Sequence, residues 1–315
     1  MYLLDAPDGG RLLVTSASDL NLAAECEFGF ARTADVRFGR IEAVDDVLDA
    51  MGERTIVMGN AHEARLIEHY RGQGSLVEIE RAGRNVESLL AAQAATLEAL
   101  HARTDMVVQA TFFDPAHGPD LAPGVGLAFI GYADFLEHRG DGVYRVLDSK
   151  LARRAKVTAL MQLAAYAEQL ERLGVPVDPE TGLILGDDSL SIHRLDDISP
   201  VHRRQRDRMH ALLRDRATAT EAVAWRASGL AHCGKCAWCA DAIARHDDVW
   251  QTYGLRGSQW QKLAEAGITT MSDLVGHSGA VAGIPQRTLD ALRAQAALQV
   301  RAAAGDPAPP VELVD

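Results

Sequence analysis

The distribution of apolar and polar positions divides the chain into three stretches of different character. Over the first hundred residues, Arg11 to Thr15 and Thr55 to Met58 read as strands, and a helix begins at Ser18. Asn60-Ala-His-Glu63 reads as a helix start, with Asn60 as N-cap and Glu63 reaching back, leading into Leu66, Ile67 and Tyr70. Val86 to His101 carries apolar residues at helical spacing with almost no charge, so it predicts a well-buried helix. In the middle third, Met106 to Phe113, Val125 to Glu137 and Val143 to Leu151 are rich in Val, Ile, Phe, Leu and Tyr, and Gly, Pro and Asp separate them. They predict consecutive strands, the last two joined by a hairpin loop at 138 to 142. A helix over Val157 to Leu173 closed by Gly174, strands at Leu183 to Leu185 and Ser191 to Leu195, and a helix over Val201 to Arg216 follow. Beyond Gly254 the pattern is wholly helical, punctuated by Gly267-Ile268 and Gly283-Ile284, and the Pro- and Ala-rich tail reads as a linker.

Strands followed by helices around one apolar centre predict a mixed α/β (α+β) core. We expect a main domain over 1–249, a small all-α domain over 250–301 and a tail over 302–315. The length of 315 residues allows this, and 47% hydrophobic with 24% charged residues excludes disorder as a description of the whole chain. The net charge of -12 changes the picture more: a protein that coats nucleic acid by bulk electrostatics is basic, so any such contact here comes from local patches. No secretory leader and no uncharged apolar run approaching 18 residues is visible, so the expectation is a cytoplasmic protein without a membrane partner.

Asp148-Ser-Lys150 ends a strand, and a period of two places carboxylate and ammonium on one face. If the loop at 138 to 142 closes a hairpin, Asp134 lies on the neighbouring strand, roughly 7 to 8 Å away as a diagonal neighbour. Two converging carboxylates make an oxygen-rich site suited to Mg²⁺ or Mn²⁺, with Lys150 beside it. Gln162 and Tyr166, four residues apart, project together from the following helix, and His62 opens an earlier one. A surface salt bridge at a strand end is the blander reading of Asp-x-Lys taken alone.

Together, Gly59-Asn-Ala-His62, Gly131-Tyr-Ala-Asp134, Asp148-Ser-Lys150 and Gln162-Leu-Ala-Ala-Tyr166 resemble, in order, the motifs of the RecB-like branch of the PD-(D/E)XK nucleases, found in AddB-type helicase-nucleases and CRISPR-associated exonucleases. The resemblance covers roughly residues 15 to 245, and Ala replaces the Pro of the family's name before Asp134. It implies a central mixed sheet flanked by helices. It also implies that His62, Asp134, Asp148 and the Ser149 carbonyl bind the catalytic metal, that Lys150 assists the attacking water, and that Gln162 and Tyr166 line the DNA path. The expected activity is metal-dependent DNA hydrolysis on single strands or ends in repair or recombination, with a helicase or ribonuclease H-like domain as partner. A non-catalytic nucleic-acid-binding or scaffold module is the alternative.

The cysteines bear on this independently. Cys233, Cys236 and Cys239 form a tight run and Cys26 is the only other cysteine. Four thiolates hold zinc or an iron-sulfur cluster, and three at two-residue gaps with one remote partner favour [4Fe-4S]. Iron-sulfur nucleases of the resembling branch place one cysteine before the core and three after it. Positive charge gathers in two places: Arg153, Arg154 and Lys156 follow the Asp-x-Lys strand, and Val201 to Arg216 carries six arginines, including Arg203, Arg204, Arg206 and Arg208, against two aspartates. The functional reading of both is a phosphate track, and a solvated face is the blander one. LAEAGITTMSDL and VAGIPQRTLDAL resemble helix-hairpin-helix modules, whose Gly-containing turns present backbone N–H groups to a phosphate.

Overall fold

The computed structural model describes residues 1–7, 9–44 and 50–305, so the end of the tail, 306–315, lies outside the described residues. The chain divides into two compact units, Met1–Val223 and Ala224–Asp315.

The first unit is built on an eight-stranded sheet. β1 (Tyr2–Asp5) and β2 (Arg11–Ser16) precede the helices α1 (Ala17–Glu25), α2 (Glu27–Arg37) and α3 (Ala50–Arg71). β3 (Leu76–Glu78) and α4 (Val86–His101) lead into the long strands β4 (Met106–Ala122) and β5 (Val125–Gly140), then β6 (Val143–Ser149). α5 (Val157–Arg172), β7 (Glu180–Ile184), β8 (Leu190–Arg194) and α6 (Leu195–Thr218) complete it. The strand path is β1-β2-β5-β6-β7-β8, with β4 beside β5 and β3 beside β4. Parallel β2–β5, β3–β4 and β6–β7 pairs mix with antiparallel ones, so the expected mixed sheet is present.

Helices cover both faces. Leu66, Ile67 and Tyr70 of α3 pack with Val108, Phe135, Leu147 and Ile184. Leu163, Ala167 and Leu170 of α5 pack with Ala133, Leu136, Val146 and Leu183. Adjacent residues thus serve opposite faces, as the strand period requires. The turn between β5 and β6 takes Asp141 at φ 51° and Gly142 at φ 77°, which explains the glycine that marked the hairpin.

Two features of β5 set where Asp134 falls. Along one edge the strand pairs with β2 over Val125 to Ile130 and with β6 from Phe135 onward, so 131–134 sit in a fork where one partner leaves and the next arrives. At the same place the alternation breaks: Ala133 and Leu136 share the α5-side core, as do Val107 and Ala110 on β4, intervals of three where a regular strand needs an even number. Gln109, between Val107 and Ala110 and level with Asp134 in the register, has φ 52° and makes that switch.

Four sequence expectations are corrected. Thr55 to Met58 lies inside α3 and is not a strand. Ile56, Val57 and Met58 are more than half exposed, so no sheet or core recruits them, and a helix satisfies its backbone internally where a lone strand does not. Asn60 to Glu63 is likewise mid-helix, so Glu63 is not a capping residue and His62 is not in a first turn. α6 starts at Leu195 and carries Pro200 within it, six residues before the expected start. α4 occupies the predicted residues, but only Leu89, Ala92, Thr96, Ala99 and Leu100 are buried, while Leu90 faces solvent.

The second unit holds α7 (Ala237–Arg245), a 3-10 turn at Val249–Gln251, and the helices α8 (Gly257–Glu265), α9 (Met271–Gly276) and α10 (Gln286–Ala303). Its core is Trp260, Leu263, Ile268, Leu274, Ile284, Leu289 and Leu292. Asp248 is fully enclosed there and accepts from the indole N–H groups of Trp225 (2.6 Å) and Trp260 (2.9 Å). Gly267 (φ 77°) and Gly283 (φ 73°) turn the chain between helices. Among the described residues, no helix is long and apolar enough to cross a membrane.

Candidate active site and cysteine cluster

The fork in β5 delivers Asp134, and the end of β6 delivers Asp148, Ser149 and Lys150. Asp134 Oδ2 accepts from the Ser149 backbone N–H at 2.9 Å and from Ser149 Oγ at 3.1 Å. Asp148 is fully buried; its Oδ1 accepts from Gln162 Nε2 at 3.2 Å and its Oδ2 pairs with the Lys150 ammonium. Burial first, then the nearby Asp134 charge, pushes the Asp148 carboxyl up to about 8, and Lys150 offsets only part of this. A proton or a cation is therefore favoured at the pair near neutral pH.

Gln162 and Tyr166 lie one helical turn apart on α5, and Gln162 Nε2 also donates to the Tyr166 hydroxyl oxygen at 3.1 Å. Burial and the carboxylates hold the Tyr166 phenol far above its ordinary range, so it stays protonated and remains a hydrogen-bond donor. The glycine of Gly131-Tyr-Ala-Asp134 makes room for it: a Cβ on Gly131 would stand 2.8 Å from the Tyr166 ring and 2.9 Å from that of Phe129.

His62 is 1% exposed on α3, with Nδ1 3.2 Å from an Arg65 guanidinium nitrogen and 3.7 Å from Asp188 Oδ1. Its Nε2 is buried without a hydrogen-bond partner among the described residues. An orphaned imidazole nitrogen and two converging carboxylates fit a hard divalent cation. Among the described residues, though, only cysteines bring three or more ligand atoms to close spacing. The carboxylate pair is thus assembled, while His62 stands on α3 with Arg65 and Asp188 as its partners.

Sequence reading missed two residues here. Glu63 accepts from Gln109 Nε2, and burial and then Asp134 raise its carboxyl, with Lys150 pulling the other way. Gln109 is the residue at the break in alternation. A glutamine inside an apolar strand is the signal that could have found it; its backbone angle leaves no mark in sequence.

Arg153, Arg154 and Lys156 are exposed directly after Lys150, and Arg154, Lys156, Lys150 and Gln162 line a cavity of about 270 Å³. On α6, Arg203 and Arg204 are exposed, whereas Arg206 pairs with Glu168 and Asp207, and Arg208 pairs with Glu27. In that helix, the sequence's cationic stripe is partly consumed by internal ion pairs.

In the second unit, the sulfurs of Cys233, Cys236 and Cys239 lie within 4.8 Å of one another, with Cys233 and Cys239 4.0 Å apart. Cys233 Sγ accepts from the backbone N–H groups of Lys235 (3.4 Å) and Cys236 (3.2 Å). Gly234 permits this turn: φ is 72°, and a Cβ would fall 2.5 Å from the Trp250 ring. The trio can serve as ligands of a metal. In the first unit, Cys26 is buried between α1 and α2, with Sγ accepting from Gly29 N–H at 3.3 Å. No cysteine is in a disulfide.

A mixed sheet thus brings the Asp134 and Asp148 carboxylates together, with Lys150 directly after β6. The family model for the PD-(D/E)XK nuclease superfamily matches residues 14–240, and the chain belongs to that superfamily. No curated protein matches the chain.

Proposed function

We propose that the chain is a Mg²⁺- or Mn²⁺-dependent deoxyribonuclease acting on single-stranded DNA or DNA ends in repair or recombination. The observation that carries it is the closeness of the Asp134 carboxylate to a fully buried Asp148 whose ammonium partner is Lys150. Burying the Asp148 carboxylate beside a second carboxylate is costly unless a cation repays it. Asp134, Asp148, His62 and the Ser149 carbonyl would hold that cation. A divalent metal there supplies Lewis-acid charge at the phosphoryl oxygens. The chain's own groups do the rest. Lys150 orients the attacking water and offers positive charge as the phosphorus gains a ligand. Gln162 fixes the Asp148 carboxylate and Tyr166, and Tyr166 donates a hydrogen bond to an oxygen of the DNA strand. Arg153, Arg154 and Lys156, with Arg203 and Arg204 of α6, are the proposed phosphate contacts; Arg206 and Arg208 would join them only by leaving Glu168, Asp207 and Glu27.

The proposal extends to organisation: a nuclease domain over 1–249, a helix-hairpin-helix-like module over 250–301, and a helicase or ribonuclease H-like partner in cis or trans. It includes Cys26 as the fourth thiolate beside Cys233, Cys236 and Cys239, with a [4Fe-4S] cluster as their ligand. The 4.0 Å between Cys233 and Cys239 favours a second reading. Thiolates about 2.3 Å from one zinc stand roughly 3.8 Å apart in a tetrahedron, whereas a cubane spreads its ligand sulfurs more widely. Metal analysis of protein purified without oxygen separates the two: about four irons and a brown colour, or one zinc and none.

The test of activity is cleavage of labelled single- and double-stranded DNA with Mg²⁺, Mn²⁺ or EDTA. Asp134→Ala and Asp148→Ala should lose metal binding and cleavage together, and Lys150→Ala should lose rate while keeping most of its metal affinity. Cleavage at the wild-type rate by both aspartate variants removes the proposal.

A further inference from the structure

A second cavity, of about 210 Å³, borders the same fork and shares the Tyr166 wall with the hydrolytic site. Gly131 and Tyr166 form one wall; Tyr132, Tyr2 and Ser16 contribute others. At about 30 Å³ per water, it has room for roughly seven waters, enough for a nucleobase. The two tyrosines are neighbours: after burial, Tyr132 is the main influence raising the Tyr2 hydroxyl. Each ring carries a guanidinium, Arg81 lying 5.1 Å from the Tyr132 centroid and Arg84 5.5 Å from that of Tyr2. Both arginines are exposed, and both tyrosines are only partly buried.

The wall's one carboxylate does not oppose an anion freely. Asp19 is 7% exposed and accepts from Ser16 N–H (2.9 Å), Ser16 Oγ (2.8 Å) and the Met1 amino group (2.7 Å). The two cavities therefore differ in chemistry. The one beside Lys150 offers ammonium and guanidinium groups without aromatic rings, whereas the one beside Tyr166 offers rings edged by guanidinium. Phosphates suit the first. Flat, apolar-faced heterocycles on a charged backbone suit the second.

We infer that Tyr2 and Tyr132, with Arg84 and Arg81, form a stacking platform for unpaired bases of a single nucleic-acid strand, whose backbone then passes Tyr166 toward Asp134 and Asp148. The inference rests on the nuclease reading, which supplies the strand's destination. Duplex bases already stack on one another and present no face to the rings, so the platform selects unpaired nucleotides.

The experiment measures binding of a fluorescent single-stranded oligonucleotide and a blunt duplex to the full chain in EDTA, with 2-aminopurine emission reporting stacking. Tyr132→Leu and Tyr2→Leu should each weaken single-strand binding about tenfold and relieve the quenching of 2-aminopurine. Tyr132→Phe and Tyr2→Phe, which keep the ring, should stay within about twofold of wild type. Tyr132 also packs against Val14 and Ile130, so Arg81→Gln and Arg84→Gln provide variants that leave that packing alone. Each should lower the salt slope of single-strand binding by about 0.7 and spare the duplex. Folded variants that bind the single strand like wild type, or lose strand and duplex equally, overturn the platform. Cleavage by wild type with unaltered strand binding in the variants sinks the platform alone. Loss of strand binding with no cleavage by wild type in Mg²⁺ or Mn²⁺ sinks the nuclease reading and leaves the platform standing.

Discussion

Replacing Asp148 with Asn should make the metal-free protein more stable while abolishing its metal response. The side chain is fully buried and its carboxyl is pushed up to about 8 from 3.8. A carboxyl whose folded value lies above its unfolded one costs nothing while both states are protonated. The cost grows as pH rises from the unfolded value and levels off above the folded one. At pH 7, about three units above the unfolded value, it reaches on the order of 4 kcal/mol at about 1.4 kcal/mol per unit. Asn keeps the shape and can still meet Gln162, and Lys150, about a third exposed, can turn to water. At roughly 2 to 4 °C per kcal/mol for a unit of this size, the ceiling on the gain is about 8 to 16 °C. Thermal unfolding in EDTA should show Asp148→Asn melting several degrees above wild type at pH 8, with the difference fading toward pH 4. Mn²⁺ should raise the melting temperature of wild type and leave the variant where it is. Equal melting temperatures at pH 8, or a gain that persists undiminished at pH 4, would refute the account of a carboxylate buried for a cation.

The same proton competes with the metal. Apparent Mn²⁺ affinity measured by calorimetry should rise up to about tenfold per pH unit below about pH 8 and flatten above it, whereas a flat profile from pH 6 to 8 would mean Asp148 is already ionised. Gly131→Ala places a methyl 2.8 Å from the Tyr166 ring and should cost about 1 to 3 kcal/mol by denaturant titration, with cleavage falling as Tyr166 shifts; an unperturbed variant would show that the ring has room to move. Cys236→Ser should lose metal stoichiometry and protease resistance of the second unit together, and retention of full metal content would remove Cys236 from the ligand set.

Most of the sheet was legible because its strands announce themselves by composition and its turns by glycine: β5, β6, their hairpin and α5 fall within a few residues of their expected bounds. The early helix was not. Thr55-Ile56-Val57 has the side chains of a strand, but a strand requires a partner, and partners are set by the whole chain. The arginine helix was legible as charge and illegible as availability, because Glu168 and Glu27, which bind Arg206 and Arg208, lie 38 and 181 residues away in sequence.

The deeper reason lies at the fork. Asp148, Gln162 and Tyr166 were readable as a spaced set because each sits on an element with a regular period, so sequence distance translates into direction. Glu63 and Gln109 were not, since their relation to Asp134 depends on an interruption of that period. Gln109 takes a left-handed backbone where β4 and β5 exchange faces, and that exchange allows both Ala133 and Leu136 to reach the α5-side core. A regular β5 could not place both there. The strain at Gln109, of a kind that costs about 1 to 3 kcal/mol, falls level with the carboxylate that the proposed chemistry uses. Gln109→Gly separates the two roles of this residue. If backbone strain is all that matters, glycine should stabilise the protein and spare cleavage. If the side chain's hold on Glu63 also positions Asp134, stability should rise while Mn²⁺ affinity and cleavage both fall.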